Sequence, residues 1–200
     1  MATPDPEKIQ RLQDALAEWE ATGGNGELFN YEREEALAPV RRRALRLLDQ
    51  RPRSEHELRE RLVKAEFPAP LVDEVLASLR ASSLLDDRRF AHEWVRQRAK
   101  RRGKSRSFLD RELREKGVSD TDRRAALAQI SDEDQHAIAE ALAEKKAREV
   151  KTPPAGHAEY TRALRRVVGV LARRGFPQGM CMSIARTALD TRVESLRETS

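Results

Sequence analysis

Three stretches decide how this chain folds: Leu62-Val63-Lys64-Ala65-Glu66-Phe67-Pro68, Leu113-Arg114-Glu115-Lys116-Gly117-Val118-Ser119 and Leu171-Ala172-Arg173-Arg174-Gly175-Phe176-Pro177. In each, a leucine ends a helical run, an apolar residue follows five places later, and a helix-starting Pro or Ser comes next. Gly117 and Gly175 suit the left-handed conformation that closes a helix, and Glu66 takes that place in the first copy. Eight places past the apolar residue lie Val75, Ala126 and Ile184, each an inward position of the next helix. Leu113 follows Leu62 by 51 residues, and Leu171 follows Leu113 by 58. Each interval holds three helices of about 11–12 residues with their turns.

Outward from these anchors the chain keeps helical spacing. Ala44, Leu45 and Leu48 open the series, and Ser54 with Glu57 forms a capping box ahead of Leu58 and Leu62. Leu71, Val75, Leu76 and Leu79 make one stripe, and Asp86 caps a longer helix carrying Phe90, Ala91, Trp94 and Val95. Gly103 interrupts it, Phe108, Leu109 and Leu113 mark the next, and Ser119 with Asp122 makes a second box before Ala126, Leu127 and Ile130. Ile138, Ala141 and Leu142 share a helix, and 151–157 reads as an expanded loop around Pro153 and Pro154. Tyr160, Leu164, Val167, Val168 and Leu171 line the following helix, and Met180, Ile184, Ala185, Ala188 and Leu189 the last. No segment alternates with period two. The expected fold is all-α, with tandem three-helix repeats at 39–85, 86–133 and 134–200 forming an elongated, curved array.

Composition agrees with thin helical layers. Only 38% of the residues are hydrophobic and 4% aromatic, too few for one thick core, while 36% are charged. Residues 1–40 carry nine acids (Asp5, Glu7, Asp14, Glu18, Glu20, Glu27, Glu32, Glu34, Glu35) against three bases (Lys8, Arg11, Arg33). The remainder holds 36 bases and 25 acids, so a basic body follows an acidic leader and a polyanionic or acidic partner is expected. The leader, residues 1–38, reads as one amphipathic helix capped by Asp5 and started by Pro6, with Ile9, Leu12, Leu16 and Trp19 on one face. A flexible link at Gly23-Gly24-Asn25-Gly26 follows. A single cysteine, Cys181, excludes an intrachain disulfide, and the absence of an apolar signal core or long apolar span makes the cytoplasm the expected location.

The residues also resemble a known family. Ala44-Leu45…Leu48 followed by Arg53-Ser54-Glu55-His56-Glu57-Leu58 looks like the opening of RecX proteins. The junction Leu84-Leu85-Asp86-Asp87-Arg88-Arg89-Phe90-Ala91…Trp94-Val95…Arg98 is similar to the family's Leu-x-Asp-x-x-Phe-Ala pattern. Gly103-Lys104…Leu109…Glu112-Leu113…Lys116-Gly117-Val118 is similar to the segment on its C-terminal side. Trp94 stands where the family often has tyrosine, and residues 1–38 lie outside the resemblance. The resemblance implies a cytoplasmic protein of DNA repair and recombination without enzymatic activity or cofactor. It implies a monomer that binds the RecA filament on single-stranded DNA and mainly restrains its ATPase, strand-exchange and co-protease functions, with weak direct DNA binding and no membrane role.

Among residues that could meet such a partner, the run Arg96, Arg98, Lys100, Arg101, Arg102, Lys104 and Arg106 is the sharpest, with no acid between Glu93 and Asp110. It could contact phosphates or an acidic protein face. The competing reading is a solvated helix C-terminus, where positive charge is favourable anyway. Arg41, Arg42 and Arg43 read as a helix start, where positive charge opposes the dipole, and Arg165, Arg166, Arg173 and Arg174 could extend the strip. Phe90 and Trp94, four apart on an apolar stripe, read as core rather than base-stacking rings. No catalytic or metal site is expected: His56-Glu57-Leu58-Arg59-Glu60 begins like a zinc-protease helix but has Glu60 where the second histidine belongs. Two other functions fit three-helix units: a helix-turn-helix transcription factor and a pure interaction scaffold.

Overall fold

The computed structural model describes residues 10, 13, 14, 17 and 31–198; the first four are helical, and the rest of the leader helix, with its apolar face, and the glycine link expected from the sequence lie outside the described residues. Among the described residues nine helices follow one another with no strand: α1 (Tyr31–Gln50), α2 (Glu55–Val63), α3 (Ala69–Ala81), α4 (Asp87–Arg102), α5 (Arg106–Glu115), α6 (Asp120–Leu127), α7 (Asp132–Ala147), α8 (His157–Ala172) and α9 (Gln178–Glu198). The chain forms two units, one from residues up to 51 with 58–82, the other from 52–57 with 83–200.

The three anchor stretches adopt one geometry. The N–H of Phe67, Val118 and Phe176 donates to the carbonyl of Leu62, Leu113 and Leu171 at 3.3, 3.1 and 3.3 Å. One residue earlier, Glu66, Gly117 and Gly175 all have positive φ, at 64°, 73° and 81°. Each is the left-handed closure of a helix that satisfies carbonyls with no partner inside it. Glycine holds this conformation without a Cβ clash; Glu66 holds it at a steric cost, with the same closing bonds, its N–H donating to the Val63 carbonyl at 2.9 Å as those of Gly117 and Gly175 donate to Arg114 and Ala172. The next helix then starts in the same way, with Val72, Arg123 and Cys181 donating to the carbonyls of Pro68, Ser119 and Pro177. Leu62, Leu113 and Leu171 are all fully buried.

The helices pack in threes. In the first unit α1 lies against α3, and its buried face is Leu37, Val40, Ala44 and Leu47. In the second, Phe90, Ala91, Val95, Ala99, Leu109, Leu113, Val118, Ala126 and Ile130 make a core from α4–α6. A second core from α7–α9 contains Ala139, Ala143, Val167, Leu171, Phe176, Cys181, Ile184 and Ala185. Trp94 packs at the edge of the first of these cores, as its position on the stripe predicts.

Three sequence expectations are corrected. The helix of Arg41–Arg43 begins at Tyr31, so residues 31–38 are continuous with the first repeat rather than part of a separate leader, and the three arginines sit mid-helix, away from its N-terminal dipole. Pro39 is accommodated inside α1 because Leu37, Val40, Ala44 and Leu47, at helical spacing, anchor that face in the core. Leu45, by contrast, is exposed. On α7 the buried face is Ala139, Ala143 and Ala147, one position on from the expected Ile138 and Leu142, which flank it, while the expected Ala141 is exposed. Small residues four apart let α8 and α9 approach closely, so packing distance overrides hydrophobicity in choosing the face.

A basic surface built from two docked turns

The candidate surface is assembled where α4 ends. Asp86 caps α4 by accepting from Arg89 N–H at 2.8 Å, and Gly103 closes it at φ 57°. The chain then passes through Lys104 to Ser105, whose hydroxyl caps α5 by accepting from Phe108 N–H at 3.2 Å. This turn docks on the closure of α8: Ser105 N–H donates to the Arg174 carbonyl at 3.1 Å, and the Ser107 hydroxyl to the Gly175 carbonyl at 2.6 Å. A Cβ on Gly175 would stand 2.9 Å from both Phe108 Cβ and Ser105 Oγ, so glycine is required by contact as well as by φ. The Arg174 guanidinium reaches back to the Arg102 carbonyl at 3.4 Å.

The same docking occurs once more in this unit. The Ser54 hydroxyl donates to the Lys116 carbonyl at 2.7 Å, and His56 lies over Gly117, where a Cβ would meet its side chain at 2.4 Å. Nearby the carboxylate of Glu57, a member of the expected capping box, pairs with Lys116 at 2.6 Å, while Asp87 accepts from Glu55 N–H at 2.8 Å. Burial pushes the Asp87 carboxyl above the usual aspartate range, more than this hydrogen bond lowers it.

The seven-base run divides by function. Arg98 stacks on Trp94 with its guanidinium carbon 3.7 Å from the ring centre, and pairs with Glu112 at 3.0 Å. Glu112 also accepts from the Trp94 indole N–H at 2.9 Å, and Lys116 Nζ lies 4.3 Å from the same ring. Arg98 is therefore a structural residue of a half-buried charge and aromatic cluster. Arg106 is held by Asp132 and the Ile130 carbonyl, and Lys104 lies 3.4 Å from the Phe108 ring centre. Arg96 pairs with Glu93 at 2.6 Å on an exposed face, an interaction of little energy in water. The Lys100 side chain lies outside the described residues. Arg101 and Arg102 are exposed and form no ion pair among the described residues.

Of the remaining candidates, Arg173 is exposed beside half-buried Arg174, and the docking of the two turns joins them to Arg102 across 72 positions of sequence. Arg165 and Arg166 are exposed on α8. Arg42 and Arg43 are exposed in the first unit, where Arg41 pairs with Glu34 at 3.1 Å. The sequence marked Ser54 as a helix cap but missed Ser105, Lys116 and the docking of both serines on later closures, although Ser54 and Ser105 stand 51 positions apart, in register with Leu62 and Leu113. Among the described residues no cluster of His, Cys, Asp and Glu is placed to hold a metal ion, and no helix is long and apolar enough to cross a membrane.

Comparison with known proteins agrees with this architecture. Residues 41–79 match the family model described as RecX, first three-helix domain, and residues 86–127 match RecX, second three-helix domain. The chain is 53% identical over 194 residues to a regulatory protein RecX of Corynebacterium efficiens, covering 96% of this chain and 92% of that one. It is 36% identical over 146 residues to the regulatory protein RecX of Streptomyces coelicolor, covering 73% of this chain and 75% of the other. A crystal structure of regulatory protein RecX superposes with a TM-score of 0.65 at 26% identity over 78% of this chain and 74% of that one. RecX from Lactobacillus salivarius shares the fold, with a TM-score of 0.66 at 22% identity over 79% of this chain and 99% of its own. With its repeated helix closures, two matched domains and a relative of near-equal length at 53% identity, the chain belongs to the RecX family of regulatory proteins.

Proposed function

We propose that this protein binds the RecA nucleoprotein filament on single-stranded DNA in the cytoplasm and mainly inhibits its ATPase, strand-exchange and co-protease activities. It acts by occupying the filament rather than by catalysis, as a monomer with three repeats at 39–85, 86–133 and 134–200. The observation that carries the reading is the contact of Arg174 with Arg102. Through it the turn after α4 docks on the closure of α8, and the flanking Arg101, Arg102 and Arg173 are exposed and form no ion pair among the described residues. Such a surface suits a filament that presents phosphates and acidic side chains together.

Titration into RecA-coated single-stranded DNA tests this. The wild-type chain suppresses ATP hydrolysis, and Arg101→Ala/Arg102→Ala/Arg173→Ala suppresses it less at equal helical content. A wild-type chain without effect at saturating concentration would overturn the reading.

A further inference from the structure

The connection between the first and second helices of a group is short at 51–54 and at 103–105, but runs from 148 to 156 between α7 and α8. This longer loop is tied down at several points. The Val150 N–H donates to the Ala147 carbonyl at 2.9 Å, the Val150 carbonyl accepts from Arg192 at 3.1 Å, and the Ala155 N–H donates to Glu159 at 2.9 Å. Between the loop and α8 lies an open cavity of about 280 Å³. Its wall includes Lys146, Lys151, Arg162 and Arg166, with Glu149 and Glu159 as its acids.

Both acids are already engaged, Glu149 by Lys146 at 2.5 Å and Glu159 by the Ala155 N–H. Lys151, Arg162 and Arg166 are exposed and form no ion pair among the described residues. Arg162 and Arg166 are four apart on one face of α8, a spacing at which like charges repel unless an anion lies between them. Two guanidinium forks and an ammonium around a cavity with occupied carboxylates make a geometry for a tetrahedral oxyanion.

We infer that the cavity between the 148–156 loop and α8 is a phosphate site, which takes a backbone phosphate of single-stranded nucleic acid on Lys151, Arg162 and Arg166. The inference deepens the filament reading by adding a nucleic-acid contact on the last helix group, and its test uses no RecA.

The test measures binding of the full chain to a fluorescent oligothymidylate by anisotropy over a range of salt. It compares wild type, Arg162→Gln/Arg166→Gln and Arg162→Lys/Arg166→Lys. Glutamine retains helix propensity, so the fold is expected to survive, and circular dichroism checks it. The glutamine variant should lose affinity, and its slope of log affinity against log salt should fall by about 0.7 for each phosphate no longer neutralised. The lysine variant should keep the slope while losing part of the affinity that the bidentate fork supplies. A parallel arm compares thermal melting in sodium phosphate and in sodium chloride of equal ionic strength. Stabilisation of wild type by phosphate, lost in the glutamine variant and without any change in oligonucleotide binding, assigns the site to free phosphate. A glutamine variant that matches wild type in affinity, salt slope and phosphate response overturns the inference. RecA inhibition measured on the same variants is read separately, so either idea can fail alone.

Discussion

Ser54 and Ser105 stand at the same place in successive copies, and each joins its own helix start to the closure of a later helix. Ser54 Oγ accepts from Glu57 N–H at 3.2 Å while donating to the Lys116 carbonyl at 2.7 Å. Ser105 Oγ accepts from Phe108 N–H at 3.2 Å while its own N–H donates to the Arg174 carbonyl at 3.1 Å. Both side chains are buried, so neither cap can be replaced by water. Ser105→Ala and Ser54→Ala are each expected to cost about 0.5–2 kcal/mol, measured as a shift in the urea midpoint. An unchanged midpoint would show that the turns dock without the hydroxyls.

The three anchor leucines provide a second check. Leu113→Ala and Leu171→Ala are each expected to cost about 2–5 kcal/mol, because both are fully enclosed. Leu62→Ala should behave alike in the first unit. Thermal melting of all three against wild type measures this, and a wild-type melt for Leu113→Ala would place the repeat register elsewhere.

Arg98 and Arg101 separate structure from binding within one basic run. Arg98→Ala removes the stack on Trp94 and leaves Glu112, one of whose oxygens stays on the indole, without its cation. A loss of about 1–3 kcal/mol is expected, with a change in Trp94 fluorescence. Arg101→Ala should leave both unchanged and reduce only RecA inhibition. Equal stability of the two variants would mean that the Trp94 cluster is not a structural element.

Asp87 gives a pH-dependent prediction. Its carboxyl titrates above the usual aspartate range because burial penalises the anion. The folded chain therefore holds the Asp87 proton more tightly than the unfolded chain. The contribution of this group to stability is greatest below the ordinary aspartate range and is lost as pH rises through the elevated value. Asp87→Asn keeps an oxygen for Glu55 N–H and removes the buried charge, so it should be at least as stable as wild type at pH 7. Asp87→Ala should lose about 1–3 kcal/mol there. Denaturant unfolding at pH 4 and pH 7 checks both, and an Asn variant much weaker than wild type at pH 7 would contradict the burial argument.

Arg123 occupies the place held by Val72 and Cys181 in the other two copies, ten residues after each anchor leucine. It donates to Asp110 at 2.9 Å, to the Val118 carbonyl at 2.8 Å and to Asp120 at 3.0 Å, all its nitrogens engaged at a buried position. Arg123→Val restores the apolar residue of the first copy, yet it should destabilise by about 3 kcal/mol because the Val118 carbonyl and Asp110 lose their partner. Chemical denaturation decides it, and a variant as stable as wild type would show that the network only offsets its own desolvation.

The sequence by itself determined the helices, their grouping and the closures. Local backbone chemistry decides those features: a leucine, a residue able to go left-handed and a Pro or Ser start act within one turn of chain, so their spacing is legible. Glu66 could be assigned to the left-handed position because the copies share a register, even though glutamate does not favour it. The tertiary structure alone decided which cations are free. Arg98 and Arg101 are alike in a charge run, but one faces Trp94 and Glu112 from α5 and the other faces water. It also decided that the Arg174 guanidinium meets the Arg102 carbonyl, 72 positions away in sequence, since the chain between them must fold before the two turns can dock. The buried face of α7 was settled in the same way, because helix approach depends on the partner's surface, and an alanine row packs closer than its neighbouring leucine and isoleucine. Local spacing carries the backbone, whereas side-chain pairing belongs to contacts that the linear order does not bring together.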